Sequence, residues 1–447
     1  MKFIVIGITD NPRPWFPPEV LDVIRQGKVF SGGKRHHEIV TPFLPEGAEW
    51  IDITAPLDAV FGQYNSQFSI LNSQLIIVFA SGDPLFFGFA NTIKRKMPEA
   101  EIVVYPTFNS LQMLAHRLLM PYHDMRIVSL TGRPWPAFDK ALIEGSRQRF
   151  QALQGGQGWK IGVLTDKEHT PAAIAQRMLD YGYTNYTMYV GEHLGNPEQE
   201  KITTLSLEEA TRTEFSMPNC VILHSVVGEA SELYNVVGEV SKLCHVPSSA
   251  AKLGSFTYYG IPDREFTLLD GREKMITKMP IRLLTLQALD LPRRKVFWDI
   301  GFCTGSVSIE ARLQFPHLDI HAFEIRPKCE AIIHENARRF GALGINIHMG
   351  DFLDMDLSLI THHFSLLPDA VFIGGHGGRL KEIMAKVLTV LSPDGCIVMN
   401  SVKAPKVTTD SHLLWDEACQ MLGLQQEPPM RIVIDEHHPI EILKCKR

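Results

Sequence analysis

The stretch that most limits how this chain can fold is Val296 to Ala311, VFWDIGFCTGSVSIEA. Val296, Phe297, Trp298 and Ile300 read as a buried strand, because a short apolar run bounded by glycine suits a strand covered on both faces. Gly301 and Gly305 then let the backbone turn tightly and come close to a ligand. Ser306 to Ala311 begins a helix whose N-terminal N–H groups and dipole face that turn. Asp299 stands before the first glycine, and the spacing Asp-x-Gly-x-x-x-Gly differs from the Gly-x-Gly-x-x-Gly that receives a dinucleotide pyrophosphate. A ligand without a phosphate is favoured, with Asp299, Gly301 and Gly305 as its first candidate contacts.

The following strands extend the pattern. HAFEIRP puts Glu324 at the end of an apolar run, nineteen residues after Gly305, where a doubly wound sheet holds ribose hydroxyls. INIHMGDFLD ends in Asp351, placed to accept from an adenine amino group or to border it, and DAVFIGG ends at Gly374 and Gly375, where the chain can pass under a ligand. A single acid at such a place serves equally well as a helix cap, but three in register along successive strands favour one shared site. The region resembles the class I S-adenosylmethionine-dependent methyltransferases. That resemblance implies a Rossmann-like sheet with the cofactor held by Asp299, Gly301, Gly305, Glu324, Asp351 and Gly374.

At 447 residues the chain suits two or three domains, and 45% hydrophobic with 21% charged residues fits soluble globular cores. Forty-four basic against 50 acidic residues, net −6, give no global field for nucleic acid, so an anionic substrate must be met by local basic loops. No apolar run reaches membrane-spanning length and MKFIVIGITD reads as a strand rather than a leader, so no membrane association and a cytoplasmic location are expected. The seven cysteines all lie from Cys220 onward without Cys-x-x-Cys or zinc spacing, so they read as reduced thiols and no metal site is expected.

Before this region the chain alternates strands and helices. Strands are expected at Lys2 to Gly7, Leu75 to Ala80, EIVVYP, MRIVSL and KIGVLT. Polar or small residues follow them, at Ser81-Gly82-Asp83-Pro84, Thr107-Phe108-Asn109-Ser110, Thr131-Gly132-Arg133 and Asp166. These ends suggest one open α/β sheet that binds its ligand beyond the strand termini. SGGKRHHEIV reads as a solvated basic turn, which a carboxylate-rich ligand could use. Pro218 to Leu223 closes a first domain at 1–245. SSAAKLGS, 248–255, belongs to the link, and 246–447 forms the second domain. That domain opens with the lead-in GIPDREFTLLDGREKMITKMPIR.

SGGKRHHEIV, ASGDPLFFG, YPTFNSLQ, SLTGRP and LTDKEHTPAAIA resemble, in that order, the tetrapyrrole (corrin) methyltransferase family in its precorrin C5-methyltransferase branch. GIPDREF, ITKMPIR, DIGFCTG and VFIGGHGGRL resemble the precorrin C15-methyltransferases that also decarboxylate. Together they are similar to the fused C5,15-methyltransferases (decarboxylating) of vitamin B12 synthesis. The first loop, Gly7-Ile8-Thr9-Asp10-Asn11-Pro12, departs by lacking the family's second glycine. The resemblance implies a tetrapyrrole substrate, one S-adenosylmethionine site per domain and, by analogy, a homo-oligomer. It implies Gly82, Asp83 and Ser110 as cofactor contacts of the first domain, and Thr277 in a loop that closes over cofactor and substrate. Loss of carbon dioxide needs a proton donor and anion-binding residues, for which His376, Lys278 and Arg282 are the candidates. Methyl transfer from a sulfonium consumes charge, so alignment and exclusion of water matter more than a strong base. The alternatives are an RNA or protein methyltransferase with an N-terminal recognition domain and a non-enzymatic cofactor-binding or scaffold module whose glycine turns are structural. The first lacks the Asn/Asp-Pro-Pro-aromatic motif and a basic stripe. Absence of cofactor binding at both halves would favour the scaffold.

Overall fold

The computed structural model describes residues 1–70, 75–152, 158–225, 260–364, 367–402, 411–433 and 440–446. The domain boundary expected near residue 245 and the link at 248–255 lie outside them. The chain forms two compact units. One carries the first ten strands; the other carries the remaining eight together with Trp135–Gly156 and Met178–Thr184.

In the first unit β1 (Lys2–Ile8), β2 (Val29–Gly32), β3 (Glu49–Asp52), β4 (Leu75–Ser81) and β5 (Glu101–Tyr105) form a parallel sheet in the order β3-β2-β4-β1-β5. Its central strands KFIVIGI and LIIVFAS are apolar nearly throughout because helices cover both faces. A second sheet follows, from β6 (Arg126–Ser129), β7 (Lys160–Leu164), β8 (Tyr186–Glu192), β9 (Lys201–Ser206) and β10 (Asn219–Ser225), in the order β6-β7-β10-β8-β9.

The single open sheet expected from the four strand ends is therefore corrected. Gly82 and Thr107 follow strands of the first sheet, whereas Thr131 and Asp166 follow strands of the second. In that sheet only β6 and β7 pair in parallel, and β9, with no buried residue, is an edge strand that an antiparallel sheet can leave facing water. The basic segment expected as a turn is also corrected: Gly33 precedes a helix, Lys34–Val40, whose inner side buries Ile39 and Val40.

In the second unit β11 (Val296–Ile300), β12 (Asp319–Glu324), β13 (Ile345–Met349), β14 (Ala370–Ile373) and β15 (Cys396–Val402) run parallel. With β16 (Gln425–Gln426) and β18 (Ile440–Lys446) the order is β13-β12-β11-β14-β15-β18-β16; β17 (Met430–Ile432) also pairs with β18, which is antiparallel to β15. The sheet is Rossmann-like, and the strand order reverses between β11 and β14. A crevice opens beyond the carboxyl ends at such a reversal. Side chains alternate along β11: Val296, Trp298 and Ile300 join a core with Phe323, Phe352 and Trp415, while Phe297 faces Val307, Ile320, Phe372 and Val398. Among the described residues no helix is long and apolar enough to cross a membrane.

On this sheet His321 Nδ1 lies 2.9 Å from His348 Nε2, with the rings stacked. Burial first, then the neighbouring His348 and Arg312, push the His321 imidazole down to about 3; burial lowers His348 as well. The unfolded chain binds a proton here below about pH 6.5 that the folded chain refuses, so stability is complete above that pH and is lost on acidification toward 3. Denaturant titrations at pH 7 and pH 5 should show the second unit losing roughly 2 kcal/mol, and His321→Phe should flatten that slope.

Candidate active site

The crevice between β11 and β14 is built from backbone. Gly301 has φ +79°, and a Cβ there would stand 2.7 Å from the Gly375 nitrogen. The two strand ends therefore touch main chain to main chain, tied by Gly374 N–H donating to Ile300 O at 2.8 Å. Gly305, at φ +73°, leads into the helix Ser306–Gln314, and a Cβ on it would strike Ile333 at 2.4 Å. Between them Cys303 is left-handed although it carries a side chain, and its N–H donates to Glu324 Oε2 at 2.9 Å. The acid at the end of β12 thus holds the glycine turn at the end of β11.

Each predicted acid is placed differently. Asp299 lies beneath the turn, with Oδ2 accepting from Ser308 Oγ at 2.6 Å. Burial, opposed by the Ser308 bonds and aided by the Glu324 charge, pushes its carboxyl up to about 7. Glu324 accepts from Arg326 Nε at 2.9 Å on Oε1 and from Arg326 Nη2 at 2.7 Å on Oε2. Burial works against its charge, but this fork and the N–H groups of Arg326 and Cys303 hold the carboxyl below its usual range. Any hydroxyl donor reaching Glu324 has to share the carboxylate with Arg326. Asp351 accepts from Arg379 Nη2 at 2.8 Å and from Leu353 N–H, the Arg379 bond being the larger reason its carboxyl is lowered.

Among the described residues two buried oxygens at the turn, Asp299 Oδ1 and Thr304 Oγ1, have no protein partner, and neither has Asn400 Nδ2 on β15. Unspent polar atoms around a turn too tight for any side chain fit a small polar cofactor. Glycines 374, 375, 377 and 378 surround His376, which is half-buried and accepts from Gly378 N–H on Nδ1 at 3.2 Å. That bond assigns the ring proton to Nε2, and burial lowers the imidazole below its ordinary range.

The lead-in to this unit corrects one expectation. Arg282 is completely buried, donating through Nε to Glu310 at 3.0 Å, through Nη1 to Asp263 Oδ1 and Thr277 O, and through Nη2 to Ile261 O. Glu310 also accepts from the N–H groups of Gly260 and Ile261. Arg282 therefore ties the lead-in to the helices beneath it and is not available to a substrate carboxylate. Lys278 is exposed, 3.8 Å from Asp263, and keeps that possibility; Thr277 contributes its carbonyl to Arg282.

In the first unit a Cβ on Gly7 would lie 2.1 Å from Gly82 O and 2.9 Å from Thr107 N, so the ends of β1, β4 and β5 also meet backbone to backbone. Gly82, at φ +61°, donates to Ile8 O, and Asp83 Oδ1 accepts from Leu85 N–H, closing the turn. Ser110 opens the helix Ser110–Arg117 behind the Asn109 cap, against the Cys220 thiol of β10. Around these ends Trp15, Leu85, Phe87 and Phe108 are exposed. Arg35 and His36 reach Ser81 Oγ, and Arg35 Nη1 donates to Asp10 Oδ1 at 2.7 Å. Asp10, Ser81 and this apolar rim were not among the predicted residues; an unbroken Phe86-Phe87 beside glycine was their one sequence signal.

Three substitutions check these assignments. Gly301→Ala should lower unfolding free energy by more than about 1 kcal/mol in a denaturant titration, because both its φ and its Cβ are refused. Arg282→Ala should lower unfolding free energy by about 3–5 kcal/mol through the stranded Glu310 charge, whereas Lys278→Ala should change it by less than about 0.5 kcal/mol.

Comparison with known proteins agrees with this architecture. Residues 2–211 match the model of the tetrapyrrole (corrin/porphyrin) methylases, and residues 270–423 that of the precorrin methyltransferase domain. The chain is 28% identical over 399 residues to a precorrin-6Y C(5,15)-methyltransferase (decarboxylating) of Sinorhizobium sp, covering 89% of this chain and 84% of that one. Its second part is 32% identical to a cobalt-precorrin-6B C(15)-methyltransferase (decarboxylating) of Salmonella typhi, over 40% of this chain and 93% of the relative. Its first part is 26% identical to a cobalt-precorrin-7 C(5)-methyltransferase of Salmonella typhimurium, over 49% and 97%. A tetrapyrrole methylase domain followed by a precorrin methyltransferase domain, matched across both domains by a fused relative, makes this chain a member of the S-adenosylmethionine-dependent precorrin C5,15-methyltransferase (decarboxylating) family.

Proposed function

We propose that this chain methylates precorrin-6B, or its cobalt form, at C5 and C15 and removes the carboxyl of the ring C acetate, giving precorrin-8. The observation that carries this reading is the presence, in one chain, of two differently built crevices at strand ends: Gly7–Gly82 in the first unit and Gly301–Gly375 in the second. Each serves as one site for S-adenosylmethionine, which supplies a methyl group on a positive sulfur. In the first unit Gly82, Asp83 and Ser110 border that site. In the second, Gly301, Gly305 and Gly374 bring main chain close to the cofactor, Glu324 and Asp351 take its ribose and adenine side, and Asp299 supports the turn from below. The reading places the enzyme in the cytoplasm, as an oligomer of this chain.

A reduced tetrapyrrole supplies electron-rich ring carbons and a conjugated electron sink, so the protein has to align, desolvate and move a proton. In the first unit the exposed Trp15, Leu85, Phe87 and Phe108 suit a broad ring face and Arg35 suits its carboxylates; in the second, Lys278 suits the carboxylates of the ring bound there. For decarboxylation the acetate carbon–carbon bond breaks with its electrons entering the ring, carbon dioxide leaves, and a proton returns to carbon. His376 is placed for this role: as the imidazolium it gives the proton from Nε2 and keeps the one on Nδ1, in exchange for the Gly378 N–H bond that the neutral ring accepts, and Arg379 stands beside it, held on Asp351.

Incubating the full chain with precorrin-6B and methyl-labelled S-adenosylmethionine should give, by mass spectrometry, two labelled methyls and one lost carboxyl, and calorimetry should find two S-adenosylhomocysteine sites per chain. A single methyl with the carboxyl retained overturns the reading. His376→Asn should slow carbon dioxide release roughly 100-fold while the C5 methyl is still added.

A further inference from the structure

The first loop, where this chain lacks the second glycine, carries Asp10, whose side chain is only 8% exposed. One oxygen accepts from Arg35 Nη1 at 2.7 Å. The other lies 2.8 Å from His193 Nδ1, which arrives from the loop between β8 and β9, in the other sheet of the same unit. The two loops are packed tightly, since a Cβ on Gly195 would stand 3.0 Å from the Thr9 side chain. His193 is itself left-handed, with φ +48°, a conformation that costs energy for a residue with a side chain and persists only where its surroundings impose it. A carboxylate at Nδ1 fixes the tautomer, leaving the lone pair on Nε2. Among the described residues Nε2 has no protein partner, and 19% of the side chain is exposed.

We infer that His193, oriented by Asp10, is the proton acceptor for methylation in the first unit. The inference rests on the reading that this unit methylates C5. As the ring carbon forms its new bond to the methyl group, the S–CH3 bond breaks and its electrons stay on sulfur. The ring is left one positive charge richer and becomes neutral when one ring proton passes to His193 Nε2. Asp10 stabilises the resulting imidazolium through Nδ1–H and is a positioning residue.

The surrounding charges leave that task to His193. His36 Nδ1 accepts from Gly33 N–H while Nε2 meets Ser81, and burial first, then Arg35, lowers His36 to about 4, so it is neutral. Arg35 is bound to Asp10. On the elements packed around His193, Glu192 is paired with Lys201, and Glu200 is held by Arg117 and Gly195 N–H.

The test uses the full chain, following the C5 and C15 products separately by mass spectrometry. His193→Gln should slow C5 methylation roughly 100-fold and remove the rising limb of its pH profile, with C15 methylation, decarboxylation and both S-adenosylhomocysteine sites retained. Asp10→Asn should lower kcat for the same step with KM little changed, and added imidazole should restore C5 methylation to His193→Ala. A wild-type C5 rate and pH profile in His193→Gln overturns the inference, as does loss of its cofactor binding without imidazole rescue in His193→Ala, which would make His193 a structural tie. Absence of C5 methylation by the unsubstituted chain overturns the functional reading, and this inference with it.

Discussion

The approach of Gly301 to Gly375 is the constraint on which the second unit turns. Two parallel strands can end side by side anywhere, but here their chains diverge in opposite directions, and a crevice forms only if nothing fills the gap between them. A side chain at Gly301 would lie inside the Gly375 backbone. The hydrogen bond from Gly374 to Ile300 then sets the width of the opening, and the turn through Cys303 is pinned to Glu324. A ligand entering this crevice meets peptide groups of fixed direction, which need no reorganisation to receive it.

Charge in this unit is arranged so that no acid at the crevice stands alone. Glu324 is forked on Arg326 and Asp351 is bound to Arg379, so their carboxylates stay ionised and oriented. Asp299 is the exception, its carboxyl pushed up to about 7 by burial and bonded to the helix it supports. Arg282 and Glu310 do a different job behind the site. Their buried pair gathers four backbone groups of the lead-in, and such pairs favour one arrangement over its alternatives because each partner is costly without the other.

The first unit reaches a comparable opening by another route. Gly7 and Gly82 close the strand ends of a parallel sheet, and the second sheet supplies the opposite wall by sending His193 to Asp10. The missing glycine of the first loop is thereby accounted for: the loop is held by ion pairs with Arg35 and His193. Two differently built strand-end openings stand in a single chain.

The sequence alone determined the strand–turn–helix at Val296 to Ala311 and the strand ends at Gly82, Glu324, Asp351 and Gly374. Each of these is written within a few residues, by apolar runs that demand burial and by glycines or acids that stop them. The two-part organisation was legible in the order of motifs. Only the tertiary structure decided that the first unit has two sheets, that the basic segment is a helix, that Arg282 is a buried tie, and that Asp10 meets His193 across 183 residues. Those outcomes depend on which segments pair across long stretches of chain, and hydrophobic periodicity records that a face is buried without recording what buries it.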